Sequence, residues 1–197
     1  GNNCLSKSWD IFLMIIKEIT TRQELYCEFK KYGVGAEIGV CRGHNAMSLY
    51  QIAKPSKFYL CDIWDEKNIP RNLDSSIWRD DNQKIVQRIF EDEISTGIVE
   101  LHTEYGGNFL ASLPNDSLDW VYLDANHNYD AISIEINVAI DKVKYGGFIA
   151  GHDYCTQPTA WKSGVIRAVN EQIQNGNIIM EAITIETHPS FLCRVIK

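Results

Sequence analysis

The feature that most constrains this chain is the order of its elements. From Gly35 to about residue 173, apolar strand-like runs alternate with helix-like runs five times, and two further strand-like runs then follow with no helix between them. The first five strand-like runs are "GAEIGV", "KFYLCDIW", "GIVELHT", "LDWVYLD" and "GGFIAGHD"; the closing pair is "IIMEAITIE" and "SFLCRVIK". Repeated strand–helix alternation implies crossovers between parallel strands, which put helices on both faces of one sheet. Strands joined without a helix return antiparallel. The expectation is an α/β, doubly wound, seven-stranded sheet, mostly parallel with an antiparallel last strand.

The helices between these runs show the matching period. "AMSLYQIA" is stopped by Pro55, and Ile85, Val86, Ile89 and Phe90 make a stripe within a helix expected over 77–94. "GGNFLASL" reads as a short helix; over 130–144, Ile132, Ile136, Ala139, Ile140 and Val143 share one face. Trp161, Val165 and Val169 align within 160–173, and that stripe reads as packing. Residues 7–31 read as one or two amphipathic helices through Trp9, Phe12, Leu13 and Ile16. Residues 1–32 are therefore expected as an N-terminal helical extension to a domain spanning 33–197. The polar segment 64–78 carries Pro70 and reads as a loop, with Trp64 and Trp78 as candidate walls of a pocket.

With 197 residues, the chain is long enough to bury one proper core. Its net charge of -7 and lack of a long basic run disfavour nucleic-acid phosphates and anionic membrane as partners. No apolar run approaches the roughly 18 residues of a membrane span, and no basic, cleavable leader is evident. Six cysteines lie far apart with no CxxC pair, and Cys41, Cys61 and Cys193 sit in or beside apolar runs. Both observations point to a reducing, cytoplasmic setting.

Chemistry concentrates where strand-like runs end. In "AEIGVCRGHN", Gly39 and Gly43 let the backbone turn sharply and approach a ligand. Asp62 ends the next strand 23 residues after Gly39, where a carboxylate can accept both hydroxyls of a ribose. The G-x-G-x-x-G pattern of dinucleotide enzymes lacks its middle glycine here, and Glu37 beside the turn suits a cationic or amino-bearing ligand.

Four segments in order, "AEIGVCRGHN", "YLCDIW", "LDWVYLDANHNYDAI" and "KYGGFIAGHDY", resemble the motifs of class I S-adenosylmethionine-dependent methyltransferases. "DANHNYD" with "GGFIAGHDY" resembles, more narrowly, the small bacterial branch related to macrolide-sugar and other O-methyltransferases. The resemblance covers about residues 34–155 and implies a Rossmann-like fold. It implies that Glu37, Gly39 and Gly43 line the methionine end of the cofactor S-adenosyl-L-methionine and that Asp62 holds its ribose. By the same resemblance Glu104 and Tyr105 fall near the adenine, and Asp124 belongs to the cofactor site.

Asp124 and Asp153 end strands expected to be neighbours, about 4.8 Å apart, so their carboxylates can converge. Two anions that close need a cation between them or a shared proton. Mg²⁺ would suit Asp124 and Asp153, with His152 as a further candidate ligand, and would lower the pKa of a substrate hydroxyl. His127, three residues after Asp124, is the candidate base; His152 could serve as a second. Catechol-type enzymes carry Asp-Asn where this chain has Asp153-Tyr154, which leaves a third ligand unassigned. His44, His102 and His188 read as local hydrogen-bonding or structural residues.

The resulting expectation is O-methylation of a small hydroxylated acceptor such as a sugar or phenol. The N-terminal helices would suit homodimerisation. Two other readings stay open: a nicotinamide-dependent oxidoreductase, and a non-catalytic module that keeps the cofactor pocket. The missing glycine argues against the first. The gathering of Asp124, His127 and Asp153 argues against the second.

Overall fold

The computed structural model describes residues 16–64, 82–156 and 164–197. Among these, one sheet contains β1 (Lys17–Ile19), β2 (Val34–Ile38), β3 (Lys57–Asp62), β4 (Val99–Thr103), β5 (Leu118–Leu123), β6 (Val143–Gly151), β7 (Ile178–Thr184) and β8 (Phe191–Val195). Their spatial order is β1-β7-β8-β6-β5-β2-β3-β4. Every pairing is parallel except those of β8, which runs antiparallel to both β6 and β7. Only residues 185–190 separate β7 from β8, too few for a crossover, so the chain must turn back. All seven expected strands are present, and β1 adds an eighth at the edge.

The described helices are α1 (Arg22–Tyr26), α2 (His44–Ala53), α3 (Asn82–Ile89), α4 (Glu91–Ser95), α5 (Gly106–Ser112), α6 (Tyr129–Lys142) and α7 (Val165–Gln174). They divide between the faces of the sheet. Phe109, Ile132, Ile136, Val165 and Val169 pack on one side with Val121 and Leu123 of β5. Leu25, Leu49, Val86 and Phe90 pack on the other with Trp120 and Tyr122. Every residue of β5 is buried, as a central strand covered on both faces requires. The Trp120 ring stacks on Phe29 with centroids 4.7 Å apart. It also lies over Gly35, where a Cβ would come within 2.1 Å of the indole. Glycine in this strand is a packing requirement.

Two expected helices differ from the structure. Residues 17–19 are a strand hydrogen-bonded to β7, and helix begins only at Arg22 after Thr21, whose hydroxyl accepts the Glu24 amide. Ile19 is buried on the sheet while Lys17 and Glu18 face solvent, an arrangement that local periodicity could not distinguish from one helical turn. Trp9, Phe12 and Leu13 lie outside the described residues. The helix expected over 77–94 is two helices, because Phe90 turns out of helical geometry and buries its ring between Phe58 and Tyr50. Residues 77–81, Trp78 and Trp161 also lie outside the described residues.

Candidate active site

The carboxyl ends of β3, β2, β5 and β6 lie side by side in the sheet. The chain leaves β2 for α2 on one face and β5 for α6 on the other, so β2 and β5 flank the point where the crossovers diverge. Ligands in open α/β sheets bind in the crevice at such a point. Glu37, Gly39, Asp62, Asp124, His127, His152 and Asp153 all belong to these strand ends or the turns that follow them.

The turn after β2 is built from backbone. Gly39 has φ 89°, and a Cβ there would lie 2.3 Å from the Asp124 carbonyl oxygen. Its conformation and its contact therefore both demand glycine. Gly43 caps α2 with φ 79°. Asp62 clamps the loop: its Oδ2 accepts the amides of Val40 and Cys41, each at 2.8 Å, and its Oδ1 accepts the Trp64 amide at 2.9 Å. The Trp64 indole N–H returns a bond to the Cys41 carbonyl at 2.9 Å, which ties Trp64 to this turn.

Beneath the loop lies Glu37, with no exposed surface. Asn45 donates to its Oε1 at 2.9 Å, and Asn45 is held in turn by the Tyr26 hydroxyl at 2.5 Å. Glu37 Oε2 is buried with no hydrogen-bond partner among the described residues. Burial, reinforced by the charges of Asp124 and Asp62, pushes the Glu37 carboxyl well above the usual range despite the Asn45 bond. Such a group is stabilised by an incoming ammonium or N–H donor. Glu104 and Tyr105 follow β4, one strand beyond β3, and the Tyr105 ring is exposed.

Across the switch point, the two acids meet over a histidine. His127 Nδ1 lies 2.9 Å from Asp153 Oδ2, and its Nε2 lies 3.3 Å from Asp124 Oδ1. Both ring nitrogens thus face carboxylates, and both must carry protons to donate. Burial opposes charge on His127, but the bonds to Asp124 and Asp153 outweigh it and raise its pKa to about 9. The His127 bond drives Asp153 down to about 2, against the effect of its own burial. Burial disfavours ionised Asp124 too, and bonds from His127 and His152 overcome it to hold that carboxyl below its ordinary range. Asp153 holds this position with φ 56°, a left-handed conformation rarely taken by non-glycine residues and concentrated at functional sites.

His152 approaches the same pair, with Nδ1 3.4 Å from Asp124 Oδ1 and 3.5 Å from Asp153 Oδ1. Two participants were missed from the sequence. His188 contacts Asp153 Oδ1 through Nδ1 at 3.0 Å, and Arg22 contacts His152 Nε2 at 2.5 Å. The His188 contact had a signal: Gly151 pairs with Phe191, so the residues before β8 must meet those after β6. Arg22 is 130 residues from His152 and had none. His102, as expected, is local, with its ring against Phe109 and Nε2 3.6 Å from Glu100. Among the described residues, the donors close enough together to share one ion are Asp153, Cys155 and His188, a set different from Asp124, Asp153 and His152.

Residues 36–154, more than half of the chain, match a family described as a methyltransferase domain. No curated protein matches the sequence. Among solved structures, a Streptococcus mutans protein named as a methyltransferase and solved in complex with SAH superposes with TM-score 0.60 at 11% identity, covering 89% of this chain and 96% of that one. A SAM-dependent O-methyltransferase of Thermotoga maritima gives TM-score 0.61 at 11% identity, over 92% of this chain and 68% of the other. An rRNA methylase of Streptococcus thermophilus gives 0.59 at 11% identity, over 89% and 95%. At these identities the likeness concerns the fold.

Proposed function

The chain belongs to the methyltransferase domain family and is an S-adenosylmethionine-dependent methyltransferase, and from that premise we propose that it methylates a hydroxyl group of a small acceptor. The observation that carries this reading is His127 held between Asp124 and Asp153 beside the glycine turn. A hydroxyl becomes a competent nucleophile as it loses its proton, so an O-methyltransferase needs a proton-handling group at the transfer point.

The residues present fit the cofactor. Gly39 and Gly43 supply the two positive-φ bends of the turn, and the unpartnered oxygen of Glu37 awaits a donor. Glu37, Gly39, Gly43 and Asp62 would hold its methionine and ribose portions, Glu104 and Tyr105 its base, and Asp124 the side nearest the acceptor. When bound, S-adenosylmethionine supplies a methyl group made electrophilic by its sulfonium.

Mg²⁺ fits less well. Half of the charge on Asp124 and Asp153 is already offset by the His127 imidazolium, and the acids also face His152 and His188 rather than an oxygen-lined cage. In this reading the acid pair serves as the counter-charge for His127, and His127 passes the acceptor proton on. The Asp124 contact is the longer of its two, so an entering hydroxyl would replace that one. A net charge of -7 favours a small acceptor over a polyanionic nucleic acid.

The test combines binding with methyl transfer from methyl-labelled cofactor onto sugar and phenol acceptors. Asp62→Ala should weaken cofactor binding by about tenfold, the effect of losing a hydrogen bond to a charged group. His127→Ala should bind cofactor normally and lose about a hundredfold or more in turnover. Full activity in His127→Ala would overturn the assignment of the base. Binding without transfer to any hydroxyl acceptor would favour the non-catalytic module.

A further inference from the structure

We infer that Arg22 is a positioning residue that fixes the tautomer of His152, so that His152 presents an N–H rather than a lone pair to the Asp124–Asp153 acid pair. Arg22 opens α1, far from the site in sequence, and its side chain is mostly buried. Its Nη2 lies 2.5 Å from His152 Nε2. A guanidinium has five donors and no acceptor and stays charged. The imidazole nitrogen facing it must therefore accept, which leaves the ring proton on Nδ1, the nitrogen that faces Asp124 and Asp153.

Arg22 is itself held in place. Its Nε lies 3.5 Å from Glu186 Oε1, and Glu186 Oε2 accepts the Thr184 hydroxyl at 3.0 Å. Thr184 Oγ1 in turn accepts the Ser190 amide at 2.8 Å, anchoring the chain of contacts to the β7–β8 connection. The guanidinium cannot drift from His152 without disturbing an ion pair that is partly shielded from solvent.

The consequence separates the two histidines. With Nε2 bonded to Arg22 and a proton on Nδ1, His152 offers no lone pair to a metal or an acceptor hydroxyl. It acts as a donor that keeps the acid pair oriented, and proton transfer falls to His127. The tautomer assignment stands on the contacts alone; its bearing on turnover rests on the methyl-transfer reading above.

Side-chain ¹H–¹⁵N correlation spectra of the ligand-free full chain, labelled with ¹⁵N-histidine, test the assignment directly. In the wild type, the spin system lost in His152→Gln should show the Nδ1–H pattern. Arg22→Ala frees Nε2 while Nδ1 still faces the acids, so that pattern should be replaced by one that also carries an Nε2–H while the His127 signals persist; Arg22→Lys, which can also only donate, should retain it. In a transfer assay Arg22→Ala should lower kcat about tenfold at unchanged cofactor affinity, with Arg22→Lys restoring much of the loss. An Nε2–H or mixed pattern for His152 in the wild type would overturn the proposal whether or not Arg22→Ala folds. So would an unchanged pattern in folded Arg22→Ala. Absence of methyl transfer in every form would count against the reaction assigned above and leave the tautomer result standing.

Discussion

The proposed chemistry turns on one imidazole held by two acids. In the resting geometry His127 is an imidazolium near neutral pH, because its pKa stands at about 9. It must shed a proton before it can accept one. Turnover limited by this base should therefore rise with pH and level off at or below about 9, since a cationic cofactor nearby would lower the value further. A kcat profile between about pH 6 and about pH 10 measures this, and a flat profile would exclude His127 as the base. The candidates Asp124, His127 and Asp153 were legible because acids at the ends of adjacent parallel strands must be neighbours. Their charge state was not legible. It depends on which nitrogen of which ring faces which oxygen, and periodicity carries no such information.

At the scale of elements, the turn between β2 and α2 is packed directly against the end of β5. Gly39→Ala would force a side chain into the Asp124 carbonyl and out of a left-handed conformation. A loss of roughly 3 kcal/mol or more in stability is expected, together with loss of cofactor binding, as read by chemical denaturation and calorimetry. The lone antiparallel strand β8 shapes the candidate site as well. Because it enters beside the end of β6, the turn before it delivers His188 to Asp153. At the opposite end of the chain, β1 covers the edge of β7, and α1 then carries Arg22 inward. The mostly parallel sheet with its antiparallel last strand followed from the alternation of elements, whereas the strand at Lys17–Ile19 did not: three residues are too few to display a period.

For the whole molecule, stability varies with pH through its buried ionisable groups, Glu135, His127 and Asp153 among them. Glu135 on α6 is almost fully buried, its Oε2 has no hydrogen-bond partner among the described residues, and burial raises its pKa to about 7. The folded protein thus binds more protons than the unfolded chain between about pH 4.5 and about pH 7, and stability falls as pH rises through that window. His127 behaves alike at higher pH: its ion pairs stabilise fully below about 6.5 and are lost as pH passes about 9. Asp153 works in the opposite sense, contributing above about 3.8 and losing its contribution as pH falls toward about 2. Glu135→Gln should therefore raise stability by roughly 2–3 kcal/mol at about pH 8 and leave it nearly unchanged at about pH 4. Melting curves at the two values distinguish this from a general packing effect, which would act equally at both.

Reading along the chain was enough for the class of sheet, the candidate site's place at the strand ends, the need for glycine in the first turn and the family to which the chain belongs. Those properties follow from local patterns of apolar, glycine and acidic residues, each readable within a few tens of residues. The packing in three dimensions was needed to bring Arg22 and His188 to the candidate site, to leave Glu37 an unpartnered oxygen under the turn, and to set a histidine between the two acids. Such outcomes depend on distances of about 3 Å between residues remote in the chain. A hydrogen bond has to be placed in three dimensions before its donor, its acceptor and its proton can be assigned.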